Sequence, residues 1–241
     1  MRWVAVALIS ALLLTLFAVI VFLPTFFLQS NYDGWSYFRE VDRISFSGGD
    51  IIVRENRQTP SDKGYITISI EPNLTTGGNL AAYVNSRTDA LNFLLDTVNP
   101  DSVIEAVVTF KEPMNPEDFA SLCETSVEKL GEYATIVTDK TTGAKNTKTF
   151  WYPRPQEADF VQNITSVEEG YRLEGIIAFE CYIKAETARS LQSDPKVLLL
   201  DPLEDLQVLE IKKNYELKGF YVQTERPFFK EMWAQYVQME Q

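Results

Sequence analysis

The hydrophobic pattern opens with a single unbroken apolar run. Residues Val4 to Leu23, VAVALISALLLTLFAVIVFL, are interrupted only by Ser10 and Thr15, carry no charge, and pass into further apolar residues up to Leu28. At about 1.5 Å per helical residue, roughly 20 residues cross the ~30 Å hydrocarbon layer, so the run predicts an N-terminal transmembrane helix. A cleavable secretory signal is the competing reading. Such signals have shorter apolar regions closed by small residues, and the stretch from Pro24 to Ser30 offers no such site. Trp3 marks one end, and Phe26, Phe27, Tyr32, Trp35, Tyr37 and Phe38 gather near the other, where rings favour the headgroup zone. Arg2 on one side and Arg39 and Arg43 on the other leave the positive-inside count undecided. The short leader before the anchor favours a domain outside the cytoplasm.

Beyond the anchor, assigned to residues 1–30, the periodicity changes from helix-like to strand-like. Arg43 to Asn56 predicts a hairpin, with Ser47-Gly48-Gly49-Asp50 as its turn. Gly64 to Glu71 alternates Ile66, Ile68 and Ile70 with Tyr65, Thr67 and Ser69, a half-buried strand with one isoleucine face. Ser86 and Asp89 stand at capping-box spacing before Ala90, Leu91, Phe93, Leu94 and Leu95, so a helix is expected from there to Asn99-Pro100. These elements fill a membrane-proximal region, residues 31–100.

Residues 101–205 read as a second unit. Val103 to Phe110 is a β-branched strand, and Asn115-Pro116-Glu117-Asp118 opens a helix with Asn as cap and Pro at its first position. A strand follows near Ala134 to Val137, then a long hairpin or loop from Asp139 to Gln156. Tyr171 to Ala185 alternates Tyr171, Leu173, Ile177, Phe179, Cys181 and Ile183 with Arg172, Glu174, Glu180 and Lys184. A short helix from Glu186 to Ser193 and a buried strand, Lys196 to Leu200, complete a β-α-β-β-α-β order, the ferredoxin-like unit. In residues 206–241, Leu206 to Lys212 and Gly219 to Thr224 read as a β-hairpin, and Pro227 to Val237 as an amphipathic helix packed on the domain. The fold class expected is α+β: a transmembrane helix, then a ferredoxin-like (βαββαβ) domain with flanking strands and a C-terminal helix.

Two segments, VVTFKEPMNPEDFASL from Val107 to Leu122 and LEGIIAFECYIKAETARSLQSDPKVLLLDPLED from Leu173 to Asp205, resemble the subtilisin-propeptide or I9-type peptidase inhibitor domain. The shared features are a helix opening with Pro-Glu, an Ala-rich second helix, and an S-D-P-x-V turn into a last strand ending in Asp-Pro. The resemblance spans roughly residues 103–205. It implies a ferredoxin-like fold and, if the inhibitor role carries over, that Asp201, Pro202 and Leu203 begin a partner-binding tail. The chain departs from the family in its longer segment between first helix and third strand, and in the residues that follow Asp205.

Composition narrows the chemistry. The 241 residues include no histidine, which excludes His-dependent triads, and the 34 acidic against 22 basic residues give a net charge of -12, which argues against nucleic-acid binding. Cys123 and Cys181 form an even pair, either a disulfide between first helix and third strand or two buried thiols. Asn73-Leu74-Thr75 and Asn163-Ile164-Thr165 match the glycosylation pattern, usable only on an exported domain. The acidic groups Asp201, Glu204, Asp205 and Glu112, Glu117, Asp118 have no EF-hand spacing, and neither a phosphate loop nor G-x-S-x-G is present. No catalytic residue, metal site or cofactor is expected. The reading is a non-catalytic, single-pass cell-membrane protein whose extracytoplasmic domain binds a protein partner, with the bilayer held through Val4 to Leu28. The alternatives are a tethered I9-like inhibitor or propeptide-like scaffold, and a His-independent hydrolase using carboxylates.

Overall fold

The computed structural model of the protein describes residues 37–57, 64–73, 77–151 and 169–225. The apolar run Val4 to Leu28, the second glycosylation pattern at Asn163 and the amphipathic stretch Pro227 to Val237 lie outside the described residues. Among the described residues, no helix is long and apolar enough to cross a membrane.

The protein is mixed α+β, built on two sheets. The first contains β1 (Tyr37–Phe46), β2 (Gly49–Arg57), β3 (Tyr65–Pro72) and β9 (Tyr221–Glu225), in that order. The first three form an antiparallel meander, and β9 returns parallel to β3. The β1–β2 turn is where the sequence places it. Gly48 adopts φ +89, and a Cβ there would stand 2.3 Å from the Tyr83 backbone nitrogen, so only glycine lets this turn press on the neighbouring helix. That helix is α1 (Gly77–Thr97).

The second sheet runs in the order β6 (Lys145–Trp151), β5 (Lys129–Asp139), β7 (Tyr171–Lys184), β4 (Val103–Met114), β8 (Val197–Pro202), with every neighbouring pair antiparallel. Helix α2 (Pro116–Ser126) joins β4 to β5, and α3 (Ala185–Gln192) joins β7 to β8. Asn115 caps α2 as its sequence demands, its side chain accepting from the Asp118 N–H at 2.8 Å.

Alternation along these strands divides the core in two. Ala106, Val108 and Phe110 of β4 and Leu200 of β8 point to one side, against Leu91, Leu94 and Leu95 of α1, Phe119 and Cys123 of α2, and Ala188 of α3. Phe119 meets Phe179 edge-on at 5.1 Å between ring centres. Val107, Leu199, Ala134 and Ile136 point the other way, against the isoleucine face of β3 and Ile51 and Val53 of β2. Each side chain of this size contributes about 1.5 to 3 kcal/mol on full burial, and the second sheet supplies residues to both halves of the core.

Five expectations are corrected. First, Leu206 to Lys212 is not half of a hairpin but the start of helix α4 (Leu206–Leu217). The Asp205 side chain accepts from the Val208 N–H at 2.9 Å, and Val208, Ile211 and Tyr215 then fall on one helical face toward the core. Second, α1 starts nine residues before Ser86, which sits inside the helix and donates to the Ser47 carbonyl at 2.9 Å. Third, β7 has no solvated face at its centre. Glu180 is buried, because the first sheet and α4 cover the side opposite the helices, and its carboxylate accepts from the Glu132 N–H at 3.0 Å. Fourth, β7 shifts register between Ile176 and Ala178, which sends Ile177 to the opposite core from Phe179. Fifth, β3 is buried on both faces, with Thr67 and Ser69 enclosed as well as the isoleucines, and Arg54 of β2 donates to the Ser69 hydroxyl at 2.8 Å.

Candidate functional site

Two polar constellations stand out, one inside the molecule and one on its surface. The interior one lies where α1 crosses the end of β8 and the start of α4. Leu80, Tyr83, Leu91 and Leu94 place one stripe of α1 against the sheets, and Arg87 occupies the middle of that stripe at 2% exposure. Its Nε donates to Asp201 Oδ1 at 2.6 Å, Nη1 to Asp205 Oδ2, and Nη2 to the Pro202 carbonyl at 2.8 Å. The Tyr83 hydroxyl donates to the other Asp201 oxygen at 2.6 Å. Burial works against the Arg87 charge, but Asp201, with Tyr83 and Asp205, outweighs it and holds the guanidinium pKa above the usual arginine value. Burial and the Asp201 carboxylate push the Tyr83 hydroxyl well above the usual tyrosine value. One arginine thus satisfies two carboxylates and a carbonyl, tying α1, β8 and α4 together.

This arrangement corrects the reading of Asp201, Pro202 and Leu203 as the start of a partner-binding tail. Asp201 is fully buried, Pro202 is buried, and the Leu203 N–H donates to the Glu105 carbonyl at 2.9 Å. Helix α4 follows at once, so no free tail leaves this point. Of the acidic group that included them, Glu204 faces away, accepting from Lys212 Nζ at 2.6 Å and from the Thr224 hydroxyl at 3.0 Å.

Cys123 on α2 and Cys181 on β7 stand as free thiols, both buried in the helix-side core. Burial pushes both thiols far up, and their mutual proximity adds to the effect at Cys123. Thiolate is the reactive form, so both are inert in the folded protein. Asn73 is exposed at the end of β3, its N–H donating to the Gly48 carbonyl at 2.7 Å.

The surface constellation is a cleft of about 480 Å³. Strand β4 loses register with β7 after Thr109, bulges, and pairs with it again at Met114, opposite Ile176. Gly175 permits this: its φ is +151, and a Cβ there would lie 2.6 Å from the Met114 carbonyl oxygen. The opposite wall is the turn into β8, where the Lys111 N–H donates to the Lys196 carbonyl at 2.9 Å and Asp194 Oδ1 accepts from the Lys196 N–H at 2.8 Å. Pro113, Met114 and Pro195 supply apolar surface, with Lys111, Lys196, Glu112 and Asp118 around it. Lys196 Nζ approaches Asp118 Oδ2 at 3.7 Å, both side chains more than half exposed. A lining that mixes apolar surface with charges of both signs suits the grip of an extended polypeptide segment, whose side chains alternate between apolar and polar demands.

The sequence names the parts of this cleft without joining them. Lys111-Glu112-Pro113 reads as a strand end and Asp194-Pro195 as a helix stop, and the register shift that brings them together has only Gly175 as its signal. No protein-family model matches the chain, and comparison with curated proteins and with solved structures finds no match.

Proposed function

We propose that the protein is a single-pass, membrane-anchored binding module whose extracytoplasmic domain grips a protein partner and carries out no chemistry. The observation that carries this reading is the open cleft between the β4 bulge and the Pro195 turn, lined by Pro113, Met114 and Pro195 together with Lys111, Lys196, Glu112 and Asp118. The apolar run from Val4 to Leu28 supports the anchor. The sheet order β8-β4-β7-β5, with α2 after the first of its strands in sequence and α3 after the third, supports a ferredoxin-like core. On that view β6, the first sheet, α1 and α4 are additions to it.

The other readings lose support from one place in the molecule. An I9-like inhibitor needs a tail free to enter a protease cleft after the last strand, and Asp201 to Leu203 are buried there. A hydrolase built on paired carboxylates needs them open to substrate, and Asp201 and Asp205 are enclosed with Arg87. What remains of the resemblance is a recycled scaffold.

Protease added to intact cells tests the topology. The domain is expected to be digested while its N-terminal fragment stays in the membrane pellet through an alkaline wash. Full protection of the domain would overturn the exported orientation, and release of intact chain by the wash would overturn the anchor.

A further inference from the structure

Among the described residues, the most exposed large hydrophobic side chains are Leu217, at 77%, and Tyr221, at 67%. They flank one turn, Leu217 ending α4 and Tyr221 opening β9. The turn is fixed in place. Gly219 takes φ +77, Phe220 packs inward with its ring 6.1 Å from that of Tyr215, and Lys218 Nζ lies 4.6 Å over the Tyr215 ring. Leu217 and Tyr221 are therefore held outward by a rigid support and are not loosely placed.

Strand register shows which end of the molecule this is. Tyr221 pairs with Tyr65, Tyr65 with Asn56, and Arg57 with Tyr37, so the turn stands at the end of the first sheet where β1 begins. The residues 29–36 alone separate Leu28 from Tyr37. At no more than about 3.3 to 3.6 Å per residue, they keep the start of β1 within roughly 30 Å of the apolar run. The opposite end of the sheet, at the Phe46–Gly49 turn, lies a further strand length away, roughly 30 Å at about 3.3 Å per residue.

We infer that the α4–β9 turn, with Leu217 and Tyr221, rests in the headgroup layer of the bilayer that holds the N-terminal run, fixing the domain upright on the membrane. The inference rests on the anchor reading and adds an orientation to it. A tyrosine and a leucine beside a lysine match the preferences of that layer, in which rings and aliphatic carbons sink while ammonium groups stay at its surface. Lys218 and the exposed Glu216 offset one another, so the contact is apolar in origin and insensitive to salt.

The full chain in vesicles of phosphatidylcholine and phosphatidylglycerol tests this, with a nitroxide attached at Tyr221→Cys or at Ser45→Cys. Cys123 and Cys181 are buried and stay unlabelled in the folded protein. The Tyr221 label is expected to show a several-fold higher ratio of oxygen to water-soluble nickel-chelate relaxation than the Ser45 label, equally in low and high salt. Adding Leu217→Ser should bring the ratio down toward that at Ser45 while the protein still floats with the vesicles. Two equally aqueous labels on a protein that floats would overturn the orientation and leave the anchor standing. A protein that does not float would overturn both.

Discussion

Arg87 meets Asp201 at 2.6 Å with both side chains at most 3% exposed, whereas Lys196 meets Asp118 at 3.7 Å with both more than half exposed. The ingredients are alike, a cation facing a carboxylate, and the consequences are opposite. In the interior, each charge has been taken out of water and depends on the other, so removal of one partner strands the rest. At the cleft, water already solvates both, and the pair contributes little to the fold. What the contrast teaches is where an acidic residue is free to act. Asp201 is committed to holding three elements together, while Asp118, Glu112 and the two lysines can exchange solvent for a partner.

The largest effect should come from Arg87→Met, which keeps volume and leaves two buried carboxylates without their cation. A loss of about 3 to 5 kcal/mol is expected in denaturant unfolding. At roughly 2 to 4 °C per kcal/mol for a chain of this size, the melting temperature should fall by about 6 to 20 °C. Adding Asp201→Asn and Asp205→Asn should recover part of that loss. A melting curve unchanged by Arg87→Met would mean that the cluster does not tie α1 to β8.

Tyr83→Phe should cost less, about 1 to 3 kcal/mol, because one hydroxyl is removed and Asp201 keeps its bond to Arg87. The same variant sharpens the pH dependence. Tyr83, Cys123 and Cys181 all have pKa values raised by burial above ordinary values of 10.0 for the tyrosine and 9.0 for the cysteines. An acid that keeps its proton longer in the folded state contributes stability that is complete below the unfolded pKa and lost as pH rises through the folded one. Stability should therefore fall as pH rises from about 9 upward, and Tyr83→Phe should flatten the part of that slope above 10. An identical slope in the variant would assign the alkaline loss to other groups.

The smallest effect is expected at the cleft. Lys196→Ala or Asp118→Asn should shift stability by no more than about 1 kcal/mol. A loss as large as that of Arg87→Met would make the cleft pair part of the scaffold and erase the contrast.

Much of the second sheet was legible because its residues follow local rules. Asn115-Pro116 caps a helix, Asp194-Pro195 ends one, and the β-branched run at Val103 and the short apolar run at Val197 form strands. What stayed hidden did so because polar residues were buried. The stripe of α1 runs Leu80, Tyr83, Arg87, Leu91, Leu94, and the arginine interrupts its apolar pattern, so the capping-box spacing of Ser86 and Asp89 reads as the helix start. Glu180, a charge at an alternating strand position, reads outward for the same reason. Asp205 offered a cap signal for α4, yet the alternation of Leu206, Val208 and the residues after it competed with it. The cleft needed a long-range register shift, which no local pattern encodes.

An anchored, upright domain requires that the N-terminal run remain in the bilayer. Peptide mapping of the mature protein purified from cells tests this most directly. Recovery of residues 1–30 on chain that leaves the membrane only in detergent is the result predicted. Mature chain in a lipid-free fraction, beginning beyond residue 30, would contradict it.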